Sequence, residues 1–81
     1  MWDLPTLDAV RTGQRIKELR RKAEFTVEEF SEAIGLRGSK VLVKWENGES
    51  SPSLVRVLQM ADIFGVKVED IVVRMWNGKE M

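Results

Sequence analysis

The sequence predicts an all-α fold, a compact five-helix bundle in 81 residues. Three observations carry the prediction. Apolar residues recur at spacings of three and four along successive segments, as in Ile16, Leu19 and Ala23 or Phe30, Ala33 and Ile34. That rhythm marks helices burying one face. Gly35, Gly48 and Gly65 each stand where such a segment would end. The composition, 43% apolar and 32% charged, is that of a folded domain rather than a disordered tail.

The elements follow in order. Residues 1–9 form an arm that carries Pro5 and leads to Asp8, a candidate helix cap. The first helix runs from about Val10 to Ala23, with Gly13 weakening its start. Thr26 and Glu29 have the spacing of a capping box, and Phe25 and Phe30 that of a hydrophobic staple. The second helix they open is about two turns long and is closed by Gly35 in the left-handed conformation. A turn over 36–40 holds Gly38 and Ser39, and a third helix then reaches Glu46 with Leu42 and Trp45 on one side. Asn47-Gly48 stops it. Ser53 caps a fourth helix with Leu54, Val57, Leu58, Ala61 and Phe64 as its apolar face. A fifth is signalled from Val68 to Arg74, and residues 75–81 are a tail.

Several functions are excluded by what is missing. With no cysteine there is neither a disulfide nor a thiolate metal site. With no histidine the commonest general base and metal ligand are also gone. Glu28, Glu29 and Glu32 cluster on one short helix and read as a solvated face favouring its N-terminus. There is no glycine-rich phosphate loop. The expectation is a protein that is not an enzyme and takes no cofactor or metal. No apolar run exceeds three residues, so neither a membrane span nor a signal peptide is expected, and the cytoplasm is the expected compartment.

Net charge is zero, yet the charges are unevenly placed. Arg11, Arg15, Lys17, Arg20, Arg21 and Lys22 crowd the first helix against Glu18 alone. An acidic block (Glu24, Glu28, Glu29, Glu32) follows, then Arg37, Lys40 and Lys44. A local basic face can bind phosphate whatever the total charge.

Taken together, the stretches from Gly13 to Arg20, Phe25 to Phe30, Ile34-Gly-Leu36, Lys44-Trp-Glu-Asn-Gly48, Pro52-Ser-Leu54, Phe64-Gly-Val66 and Val68-Glu-Asp-Ile71 resemble the Cro and repressor type of helix-turn-helix, the XRE family. The likeness covers roughly residues 13–72. It implies a lambda-repressor-like domain over residues 10–74, whose second and third helices form the DNA-reading unit. The third helix would lie in the major groove, and the first would support it across the phosphate backbone. A homodimer on a near-palindromic operator is the usual assembly. Two departures stand out. The segment from Gly35 to Trp45 is one residue longer than the pattern, with the extra residue assigned to the Arg37-Gly38-Ser39 turn. Val27 stands where the family often has a phosphate-binding glutamine.

With the register anchored on Trp45-Glu46, the resemblance places Ser39, Lys40, Val43 and Lys44 as base-reading candidates. Arg15, Arg20, Arg37 and Gly38 are the phosphate candidates. Arg20 and Glu46 are also expected to pair, joining the first helix to the end of the third. Trp45 reads as core. Trp2, Met75 and Trp76 lie outside the family pattern and suggest a contact surface, most simply a dimer interface. The expected function is sequence-specific DNA-binding transcription regulation, as a repressor on double-stranded DNA. The other reading is a protein-interaction module that keeps the fold with weak or no DNA binding, toward which zero net charge, Val27 and the acidic second helix lean.

Overall fold

A computed structural model describes residues 5–76. The elements are β1 (Pro5–Leu7), α1 (Ala9–Lys22), α2 (Val27–Ala33), α3 (Lys40–Glu46), α4 (Leu54–Phe64), a 3₁₀ turn at Val68–Asp70, and β2 (Arg74–Trp76).

The helices begin where short polar side chains can satisfy their first amides. The Asp8 carboxylate accepts from the Arg11 amide at 3.0 Å. At α2 the capping box is complete: the Glu29 amide donates to Thr26 Oγ1 at 3.0 Å, and the Thr26 amide to Glu29 Oε1 at 2.9 Å. The staple is in place too, with the Phe25 and Phe30 ring centroids 5.4 Å apart. Ser53 Oγ accepts from the Arg56 amide and opens α4. Gly65, at φ 69°, ends α4 in the left-handed conformation. α1 closes instead on Glu24 at φ 66°, a non-glycine residue in that region.

The core lies between the helices and holds Ile16, Phe30, Ile34, Leu42, Trp45, Val57, Met60, Ala61 and Ile71. Phe30 is fully buried and stacks on Phe64, ring centroids 4.8 Å apart. One part of the expected core is corrected. Leu54 is 69% and Leu58 51% exposed, and Met60 is fully buried in their stead. α4 turns its Val57, Met60 and Ala61 arc inward, so 54 and 58 fall one step round the helix on the outside.

α1 and α3 meet backbone to backbone. A Cβ at Gly13 would lie 2.2 Å from the Trp45 carbonyl oxygen and 2.8 Å from that of Glu46. Glycine here is what lets the end of α3 rest on α1.

Four α-helices are present among the described residues, not five. The segment expected as a fifth makes only a 3₁₀ turn, in which Asp70 Oδ2 accepts from the Lys67 amide at 3.0 Å. Ile71 is buried, and the chain then extends through Val72 and Val73, whose branched side chains favour that geometry. Contacts remote in sequence hold it there. The Val73 amide donates to Thr12 Oγ1 at 3.0 Å, and the Asp8 amide to the Val73 carbonyl at 2.8 Å. β2 continues that line and pairs antiparallel with β1: Pro5 opposite Trp76, Thr6 opposite Met75, Leu7 opposite Arg74. Trp2 and the side chain of Trp76 lie outside the described residues, so the aromatic surface expected at the chain ends does too.

Candidate nucleic-acid interface

α3 is seven residues long and its two sides differ in kind. Leu42, Trp45 and Glu46 are buried, while Lys40, Val41, Val43 and Lys44 are exposed. Lys40 and Lys44 stand four positions apart, which puts them on one stripe of the helix. Val43, 40% exposed, borders that stripe. Long cationic side chains with an aliphatic neighbour can donate to guanine edges and touch thymine methyls.

α3 starts at Lys40 after bends at 37–39, and its first helical hydrogen bond runs from the Val43 amide to the Ser39 carbonyl at 3.0 Å. Ser39 precedes the helix in helical backbone geometry and makes no side-chain cap bond. Arg37 and Gly38 are exposed, and a Cβ at Gly38 would meet nothing within 4 Å. These residues line a shallow depression with Glu28, Ser31, Glu32 and Leu36. The basic start of α3 therefore has an acidic rim. Ser31 Oγ, in a residue 2% exposed, is buried without a hydrogen-bond partner.

Arg20 supports α3 from behind. Its Nε donates to Glu46 Oε2 at 2.7 Å and its Nη2 to Glu46 Oε1 at 3.1 Å, while Nη1 donates to the Phe25 carbonyl at 2.9 Å. All three nitrogens face inward. The hydrogen bonds to Glu46 raise the guanidinium pKa above its ordinary value, against the desolvation that lowers it. The phosphate role that sequence leaves open to Arg20 gives way to this structural one, because the side chain is 8% exposed and engaged throughout.

The other basic residues of α1 are distributed. Arg11, Arg15, Arg21 and Lys22 are exposed and Lys17 is half-buried. Arg15 Nη1 donates to the Asp70 carbonyl at 2.8 Å and ties the 3₁₀ turn to α1. Lys40, Val43 and Lys44 are thus brought together on α3, with Ser39, Arg37 and Gly38 at its start. Arg15 is elsewhere on α1.

The parts that Val41, Gly13 and Ser31 play at the site are not stated by the sequence. Val41, 44% exposed, shares the open side of α3 with Lys40; its position between Lys40 and Leu42 was signal enough. Gly13 sets how closely α3 approaches α1, and a glycine inside a helical pattern was the hint. Ser31 packs beneath the turn, and nothing in the sequence marked it.

A family model described as helix-turn-helix matches residues 16–71. An uncharacterized HTH-type transcriptional regulator of Archaeoglobus fulgidus is 39% identical over 59 residues, covering 73% of this chain and 82% of that protein. A second of the same description and organism is 34% identical over 59 residues, 73% of this chain and 83% of that one. Among solved structures, the restriction-modification controller protein C.AhdI from Aeromonas hydrophila matches with a TM-score of 0.71 at 28% identity, over 79% of this chain and 91% of that chain.

Proposed function

The chain belongs to the helix-turn-helix family of DNA-binding transcription regulators, and on that premise we propose that it reads a specific operator with α3 in the major groove, as a homodimer. The observation that carries this reading is the division of α3 into a buried side of Leu42, Trp45 and Glu46 and an open side of Lys40, Val43 and Lys44. The buried side fixes the helix against α1. The open side offers donors and a methyl-bearing neighbour to base edges. Ser39 stands at the entry of the helix, and Arg37 and the Gly38 backbone beside it serve phosphate. Arg15 keeps a secondary phosphate role through the part of its guanidinium not given to Asp70. Repression, by occupying an operator in the cytoplasm, is the regulatory sense we assign. No helix among the described residues is long and apolar enough to cross a membrane.

The acidic rim of Glu28 and Glu32 favours a second reading, a partner-binding module of the same fold. Two features support DNA over it: both exposed charges of α3 are lysines, and the relatives are described as transcriptional regulators. The test is selection of genomic fragments by the purified protein, then binding of the recovered DNA and a scrambled control across a salt series. A recovered palindrome, bound with an affinity that falls steeply with salt, supports the regulator. Folded protein that enriches no sequence and binds no DNA at low salt overturns it in favour of the partner-binding module.

A further inference from the structure

We propose that the terminal ribbon is where two copies of this chain join, β2 pairing with β2 of the second copy about a twofold axis through Met75. The proposal rests on the homodimer reading above and says how the dimer is made.

The ladder itself decides which strand edge is open. The Asp8 amide bonds to the carbonyl of Val73, the residue directly opposite it. In an antiparallel pair, residues that bond inward alternate with residues whose amide and carbonyl point outward. Thr6 and Met75 are then the next inward pair, and Leu7, Arg74, Pro5 and Trp76 turn their backbone groups outward. The two edges are not equal. On β1 the outward positions are Pro5, which has no amide hydrogen, and Leu7, so that edge is blunted. On β2 they are Arg74 and Trp76, each with a donor and an acceptor. The β2 edge is the one able to template another strand.

A strand with two outward residues spaced by one is self-complementary. Set antiparallel to its own copy, Arg74 of each chain lies opposite Trp76 of the other and exchanges two hydrogen bonds with it. That makes four bonds in all and a continuous four-stranded sheet. Met75 then faces Met75 across the axis at the closer, non-bonded spacing of about 4.5 Å between Cα atoms. Met75 is 48% exposed in the single chain, so apolar surface is available to cover at the axis. Charge agrees with this register. Each Arg74 has an uncharged residue opposite it, and the two arginines are offset along the strands rather than face to face. An isologous, closed contact of this kind gives the twofold molecule that a palindromic operator requires. Through Asp8, Thr12 and Arg15 the same ribbon and turn are bonded to α1, against which α3 rests.

The chain contains no cysteine, which makes the test direct. Met75→Cys places two thiols across the proposed axis, within the Cα separation a disulfide needs. Leu58→Cys does the same for the competing apolar surface on α4, where Leu54, Val55 and Leu58 are exposed. Arg74→Pro removes an outward donor while leaving the intrachain ladder whole. The expected results are near-complete covalent dimer from Met75→Cys under mild oxidation and little from Leu58→Cys. Arg74→Pro should sediment as a folded monomer at concentrations where the parent is dimeric. A parent that stays monomeric in free solution overturns the proposal. So does a dimer that survives Arg74→Pro and cross-links through residue 58. Operator binding is measured separately on the same proteins. Specific DNA binding by a dimer joined through α4 would leave the regulator standing and sink the ribbon alone, while a ribbon dimer that binds no DNA would do the reverse.

Discussion

Arg20 and Glu46 meet in a two-pronged contact, Nε to Oε2 at 2.7 Å and Nη2 to Oε1 at 3.1 Å, with side chains 8% and 6% exposed. The pair joins the C-terminal part of α1 to the last residue of α3. A buried pair of this kind is more costly to break than to replace. Glu46→Ala should therefore destabilise the chain by about 3–5 kcal/mol, read as a fall in the urea midpoint. Arg20→Met with Glu46→Leu should recover most of the loss. A double variant as unstable as the single one would contradict this account. Because the Arg20 pKa is raised, its stabilisation is fully present below the ordinary arginine value and is lost only as pH rises through the higher folded value. The arginine thus adds no slope to stability near neutral pH.

Gly13→Ala reverses the usual sign of its substitution. In an unconstrained helix the change gains about 1 kcal/mol. Here the added methyl would lie 2.2 Å from the Trp45 carbonyl oxygen, and that neighbour is backbone, which cannot swing aside. We expect a lower melting temperature. A rise would mean that α1 and α3 part without cost.

Ser31→Ala should stabilise by about 1 kcal/mol, since it removes a buried hydroxyl that has no partner. Chemical denaturation decides the matter, and a loss of stability would show that the hydroxyl is satisfied.

Lys44→Ala and Arg37→Ala should fail differently on DNA. Loss of Lys44 should relax discrimination at one operator position by about 1–3 kcal/mol. Loss of Arg37 should weaken binding to all sequences alike and lower the salt slope by about 1. Titrations of operator and scrambled DNA at several salt concentrations separate the two, and identical behaviour would remove the distinction between base and phosphate contacts.

Met60→Ala should cost about 2–5 kcal/mol, as for other large buried side chains. Leu58→Ala should stay within about 0.5 kcal/mol in the unfolding of the single chain. Comparable losses at both sites would place Leu58 in the core.

Much of this molecule was legible in its order of residues, for a local reason. The capping box at Thr26 and Glu29, the Phe25–Phe30 staple, the caps at Asp8 and Ser53 and the left-handed Gly65 all depend on partners a few positions away. Local sequence specifies such contacts almost completely. Leu42 and Trp45 were legible as the buried side of α3 from their spacing; the base-reading candidates and the pairing of Arg20 with Glu46 came through the family resemblance. The remainder was decided by neighbours far along the chain. The segment after Val68 has a helical rhythm, yet Val73 bonds to Thr12 and Asp8, and β2 pairs with β1 across 69 positions from Thr6 to Met75. Which arc of α4 turns inward, why residue 13 must lack a side chain and why Arg20 faces Glu46 rather than solvent were likewise settled only when the helices packed. Periodicity says that a helix has an apolar face. The element it lies against selects which residues of that face are covered.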